Sequence, residues 1–310
     1  MANKNIFHFD SSHYDKKLEK DDRKVDVKNI KIDLTDIIDF TGHTPRAIAF
    51  TPDGQFVLIT DKTRVIALHR KEKKIDEALT ITEFGNAFYI AVASNGNIVV
   101  SDLEKKEVVV FDSINSRKKI ATLLWYEEYF DMRPAYDCLV LRPGPLGIAV
   151  FGNKVAVSYP GKNAIGIFEL SGKFLGVCDN FETPQNIIAD TPETLVVLQA
   201  NGMERISIPT NLDKKCNIVH LGNQLFKDMN NDSTFGPAFM CMTNEGVLIV
   251  DTADNPTLRL WGEKDTFSLV NIPIDGIEGN HFLQGIAMYE NELWMVDTKN
   301  ACIYLFHTNF

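Results

Sequence analysis

Repetition is the feature that most constrains this chain. From residue 45 onward, short apolar runs rich in β-branched and aromatic residues follow one another, separated by Gly, Asn, Asp and Pro. That is the pattern of consecutive β-strands joined by tight turns. The runs fall into groups of four. The first is PRAIAF, QFVLIT, TRVIALH and EALTI, and the second is FYIAVA, NIVVSD, EVVVFDS and KIATLLW. LGIAVF, KVAVSY, AIGIFEL and FLGVCD follow, then QNIIAD, TLVVLQ, ERISIP and NIVHL, then PAFMCM, GVLIVD, TLRLW and FSLVNI. The sixth group, LQGIAM, ELWMVD and CIYLFH, has only three. Leading runs centre on Ile48, Ile90, Ile148, Ile187, Met240 and Ile286, at spacings of 39 to 58 residues.

A repeated four-stranded antiparallel unit of this period predicts an all-β chain, a six-bladed beta-propeller. One blade alone leaves an apolar face wet, so the blades must stack into a ring. The missing twenty-fourth strand has to come from elsewhere. The extended segment around Val25 to Ile32 is the predicted donor, added as the outer strand of the last blade. Leu34 to Phe40 reads equally as a helical turn or a connection. Residues 1 to 24 are polar and charge-mixed and read as a flexible arm. Residues 25 to 310 read as one propeller domain. Two long connections, Trp125 to Gly144 and Asn223 to Phe235, read as loops or small lids on its body.

Composition narrows the partners. The chain has 32 Lys+Arg against 42 Asp+Glu, a net charge of −10 over 310 residues. A surface of that sign repels a phosphate backbone, which disfavours nucleic acid. No apolar window reaches the length of a membrane span. The first ten residues lack the apolar stretch of a secretory signal, so the expected location is cytoplasmic. The five cysteines, Cys138, Cys178, Cys216, Cys241 and Cys302, are scattered without a Cys-x-x-Cys pair and read as core thiols.

Three turns recur at one place in the repeat: Pro52-Asp53-Gly54, Ser94-Asn95-Gly96 and Asn244-Glu245-Gly246. Each joins a first strand to a second, where Gly accepts positive φ. The second strand ends on an acid at Asp61, Asp102, Asp251 and Asp297, replaced by Tyr159 in the third blade and Gln199 in the fourth. The plainer reading of these acids is that they cap turns. An apolar first strand, a Gly turn, a second strand ending in Val-x-Asp and a third ending in Phe-Asp resembles the NHL family of six-bladed propellers. The best matches begin at Ala87, Pro145 and Phe282. More distantly, the repeat is similar to the gluconolactonase and senescence-marker propellers. The first resemblance implies a protein- or RNA-binding ring. The second implies Ca²⁺ held by converging oxygen ligands. Where that second group places an acid early in the first blade, this chain has Arg46.

In a propeller, the second-to-third connections and the blade-to-blade connections share one face, which opens on the central channel. That topology collects Arg46, Asp102, Arg142, Tyr159, Glu182, Gln199, Asp254 and Lys299 as candidate ligand-binding residues. His43 and His281 precede the inner strands of the first and last blades, which ring closure makes neighbours. With Asp61 and Asp297 they are candidate ligands for Zn²⁺ or Ca²⁺, and the two imidazoles are candidate acid–base groups. The plainer reading is that both histidines cap turns. His69, His220 and His307 fall in outer or third strands and read as structural. Trp125 opens WYEEYFDM, whose rings and acids would suit a cationic ligand or a basic partner.

No phosphate loop, nucleophile elbow or zinc-protease motif occurs in the sequence. The favoured expectation is a binding or scaffolding module for a protein, peptide or small polar ligand. The alternatives are a metal-dependent lactonase-like hydrolase or lyase with its site in the channel, and an RNA-binding propeller.

Overall fold

The computed structural model describes residues 31–124, 144–200, 202–209, 219–225, 237–243, 246–251, 257–262, 270–273 and 281–309. Six four-stranded antiparallel sheets form a six-bladed propeller. Blade 1 is β2 (Pro45–Phe50), β3 (Phe56–Asp61), β4 (Arg64–His69) and β5 (Lys74–Ile75). Blade 2 is β6 (Ala87–Val92), β7 (Ile98–Asp102), β8 (Glu107–Phe111) and β9 (Lys119–Leu123). Blade 3 is β10 (Ile148–Phe151), β11 (Lys154–Tyr159), β12 (Ala164–Glu169) and β13 (Phe174–Cys178). Blade 4 is β14 (Asn186–Ala189), β15 (Thr194–Leu198), β16 (Gly202–Ser207) and β17 (Val219–Leu225). Blade 5 is β18 (Pro237–Thr243), β19 (Gly246–Asp251), β20 (Thr257–Gly262) and β21 (Val270–Pro273). Blade 6 is β22 (Leu283–Tyr289), β23 (Glu292–Asp297), β24 (Cys302–Thr308) and, outermost, the N-terminal β1 (Ile32–Asp39).

The period-two pattern explains the stacking. In β3, Leu58 packs toward blade 2 with Val100 and Val109, while Val57 and Ile59 pack toward blade 6 with Trp294 and Val296. In β4, Val65 and Ala67 join the first cluster and Ile66 and Leu68 the second. Each blade is thus apolar on both faces, and only a closed ring buries both. Leu58, Ile59, Val65, Trp294 and Val296 are all fully buried.

Two strand expectations are corrected. The closing strand is β1 at Ile32–Asp39, C-terminal to most of the expected segment Val25 to Ile32, of which residues 25–30 lie outside the described residues, and it runs antiparallel to β24 from Ile32 opposite Thr308 to Asp39 opposite Cys302. Its three aspartates disguise it in the sequence. As the outermost strand it keeps an open edge, where acids are tolerated and discourage edge-to-edge association. A bulge between Leu34 and Asp36 lets Thr35 donate its hydroxyl to the Leu305 carbonyl at 3.0 Å. The second correction is EALTI. Glu77–Leu79 is a 3-10 turn whose cap Asp76 accepts from the Ala78 N–H, so the fourth strand of blade 1 shrinks to Lys74–Ile75.

Cys178, Cys241 and Cys302 are buried, as expected of core thiols. Cys138 and Cys216 lie outside the described residues, as do the arm at 1–24 and the WYEEYFDM segment. Among the described residues, no helix is long and apolar enough to cross a membrane.

Candidate functional site: the loop face and the channel

The loop face carries the second-to-third and blade-to-blade connections. Its acids are held by the backbone. Asp102 accepts from the N–H groups of Gly85 (2.7 Å), Asn86 (2.9 Å), Glu104 (3.1 Å) and Lys105 (3.1 Å). A carboxylate so placed ties the connection before its blade to the turn within it. Asp297 does the same in blade 6, accepting from the N–H groups of Phe282, Lys299 and Asn300 at 3.0 to 3.2 Å. Gln199 substitutes in blade 4. Its Oε1 accepts the Glu182 N–H at 2.5 Å and its Nε2 donates to Glu204 at 3.0 Å. Tyr159, the blade 3 replacement, is buried, and burial pushes its phenol well above the ordinary range.

The two histidines each meet their own blade's acid. His43 Nδ1 lies 3.1 Å from Asp61 and 2.6 Å from Arg64 Nη2. A guanidinium only donates and a carboxylate only accepts, so Nδ1 stands between a donor and an acceptor and the ring tautomer sets which bond is made. Asp61 then takes its strong bonds from the Thr44 N–H at 2.6 Å and Arg64 Nε at 2.9 Å. His281 faces its acid more closely. Its Nδ1 is 2.6 Å from Asp297 Oδ2 and donates there. Asn300 and Tyr304 approach the same nitrogen at 3.1 and 3.3 Å. Burial alone would raise the pKa of Asp61, but the Thr44 N–H and the Arg64 guanidinium outweigh it and hold the carboxyl below its usual value. Asp297 is likewise held low against burial, by His281 and Asn300.

The structure therefore joins His43 to Asp61 and His281 to Asp297. Among the described residues, no group of three or more His, Cys, Asp or Glu side chains could hold a metal ion. Arg142 and Asp254 lie outside the described residues. Lys299 is exposed, and Glu182 is exposed with its N–H engaged by Gln199. Arg46 donates from Nη1 to Asn86 Oδ1 at 2.7 Å and lies 5.0 Å above the Phe88 ring. This places a fixed cation on an aromatic face at the channel mouth.

Three features escaped the sequence reading. Two rings meet across the axis. Tyr89 of blade 2 and Phe239 of blade 5 stack with centroids 5.1 Å apart and planes 27° apart, although these blades stand opposite each other in the ring. Hydroxyls also bridge neighbouring blades. Thr60 accepts the Ala47 N–H at 2.9 Å and donates to the Phe88 carbonyl of blade 2 at 2.8 Å. Ser101 accepts from Tyr89 at 3.0 Å and donates to Leu146 of blade 3 at 3.2 Å, and Ser158 accepts from Gly147 at 2.7 Å and donates to Gln185 of blade 4 at 3.1 Å. At the closing seam Thr298 donates to the Pro45 carbonyl at 2.6 Å. The signal was a hydroxyl residue just before the acid position: Thr60-Asp61, Ser101-Asp102 and Ser158-Tyr159. Third, the buried Glu204 pairs with His220 Nδ1 on the outer strand of blade 4.

No protein-family model matches the chain, and no curated protein matches it. Solved structures share its fold. A catalytically inactive virginiamycin B lyase from Staphylococcus aureus with quinupristin superposes at a TM-score of 0.60 and 14% identity, covering 90% of this chain and 99% of that one. The WD40 repeats of RRP9 give 0.62 at 12% identity, over 90% and 100%. The Cps50 (Swd1) propeller domain of Myceliophteria thermophila gives 0.60 at 11%, over 90% and 100%. These likenesses show the fold alone.

Proposed function

We propose that the chain is an NHL-like binding or scaffolding module whose loop face recognises a protein, peptide or small polar ligand. The observation that carries this reading is the state of the loop-face acids. Asp61, Asp102 and Asp297 are engaged by backbone N–H groups of the connections that precede their blades. They stiffen the face, while Arg46 on Phe88, and Phe282 at 47% exposed, are presented above it. Rigid aromatic and Arg anchors on a preorganised surface are what recognition needs. The acidic balance favours a cationic or neutral partner over nucleic acid. Hydrogen-exchange footprinting with a partner captured on the purified protein tests the reading. Protection over residues 43–46, 86–89 and 281–284 is expected, and protection confined to the outer strands would overturn it.

One observation favours the enzyme alternative. His281 is oriented by its Nδ1 contact with buried Asp297, as a general base is oriented by a carboxylate. Turnover of a ligand abolished in His281→Gln would establish it.

A further inference from the structure

The hydroxyl bridges between blades follow a rule of position. The hydroxyl stands one residue before or one residue after the acid position that ends each second strand. Thr60 supplies it in blade 1, Ser101 in blade 2, Ser158 in blade 3 and Thr298 in blade 6. Blade 5 has Val250 and Thr252 at the two places, and Thr252 lies outside the described residues. Blade 4 has Leu198 and Ala200. It is the one blade with a hydroxyl at neither place, so no bridge of this kind reaches from it to blade 5. The backbone register is nonetheless kept. The Gln185 N–H bonds the Leu198 carbonyl at 2.7 Å, as the Leu146 N–H bonds that of Ser158 at 2.9 Å. Only the side chain that would cross the seam is missing.

The contacts that fill this seam are non-directional. Leu198 and Met203 of blade 4 pack on Met240, Ile249 and Trp261 of blade 5, with Met242 beside them. Three of the chain's eight methionines meet here, and an unbranched thioether adapts to a shifted neighbour. Arg205 of blade 4 lies 5.0 Å from the centre of the Trp261 ring and 3.0 Å from Asp190 of its own blade. Apolar packing and a cation over a ring tolerate a sliding that the geometry of a hydrogen bond does not. We infer that the ring has one compliant seam, between blades 4 and 5, and that the native propeller opens there rather than at the strand pairing that closes the ring. Phe239 belongs to the inner strand of blade 5, so movement at this seam carries it away from Tyr89. The closing blade is tied more firmly, by the full pairing of β1 with β24 and by the Thr298 bridge to Pro45.

Native-state hydrogen exchange of the full chain, read by mass spectrometry in urea below the unfolding transition, tests this. Amides of β18 and β19 should exchange through a partial opening at least tenfold faster than those of β3, β7 and β11. A second comparison separates the seam from any weakness of blade 5 itself. Leu198→Thr and Leu198→Val match in shape and differ by one hydroxyl, placed where Ser158 reaches blade 4 from blade 3. Exchange in β18 should be at least threefold slower in Leu198→Thr than in Leu198→Val. Equal protection of β18 and β7, first exchange in β1 and β24, or a β18 rate in Leu198→Thr that matches or exceeds that of Leu198→Val would overturn the inference. The wild-type pattern decides by itself if neither variant folds.

Discussion

Tyr89 and Phe239 stack ring on ring at 5.1 Å across the axis of the propeller, from blades that share no edge. Both side chains are buried, and both belong to the largest apolar cluster. The stack therefore acts as an axial cross-tie in a ring otherwise held by neighbour contacts. Phe239→Ala is expected to cost about 3–5 kcal/mol in urea unfolding. A double-mutant cycle with Tyr89→Ala should give a coupling of about 0.5–1.5 kcal/mol. Strict additivity would show that the rings do not meet.

The hydroxyl bridges predict a second, graded loss. Thr60→Val and Ser101→Ala remove the acceptor for a buried inner-strand N–H and a donor to the next blade. Each should lower unfolding free energy by about 1–3 kcal/mol, since a buried polar group is left unsatisfied. The exposed Ser171→Ala should change it by less than ~0.5 kcal/mol.

Acid sensitivity follows from the depressed carboxyls. Asp61 and Asp297 titrate below the model-compound value in the folded chain. Their contribution is fully present above the unfolded carboxyl pKa and disappears as pH falls through the lower folded value. Thermal unfolding followed from pH 7 into the acid range should show that loss, and Asp61→Asn should flatten it, because the amide keeps an acceptor for Thr44 but no charge for Arg64.

The closing seam has a local test. Gly54 sits at φ +62, and a Cβ there would lie 2.2 Å from the Tyr289 ring, which Arg70 covers at 4.4 Å. Gly152 has nearly the same φ, +58, with nothing within 4 Å. Gly54→Ala and Gly152→Ala therefore share the backbone penalty and differ by the clash. Calorimetry should find Gly54→Ala worse by about 1–3 kcal/mol.

Much of this was legible in the repeat. Blade number, the inner strands centred on Ile48 to Ile286, and closure by an N-terminal strand follow from period and turn chemistry alone. The position of that strand did not, because Asp33, Asp36 and Asp39 carry little β propensity and make sense only at an edge. The stack was written in the sequence but unread. At the position before each inner-strand centre the six blades place Ala47, Tyr89, Gly147, Asn186, Phe239 and Gly285. The two rings are three blades apart, and a ring of six makes that opposite. Small residues elsewhere have their own reason, since a Cβ on Gly285 would lie 2.5 Å from the Arg46 carbonyl. The pairing of His43 with Asp61 and of His281 with Asp297 was foreseeable from topology. Their different surroundings were not, because only the fold brings Arg64 to His43 Nδ1.

The most direct measurement is a titration of a partner captured on the intact protein, comparing wild type with Arg46→Ala and His281→Gln. The binding account predicts at least tenfold weaker binding for Arg46→Ala, about one and a half kcal/mol at the anchor, with the ligand recovered intact from wild type and both variants. A ligand chemically converted by wild type and left unconverted by His281→Gln would contradict it.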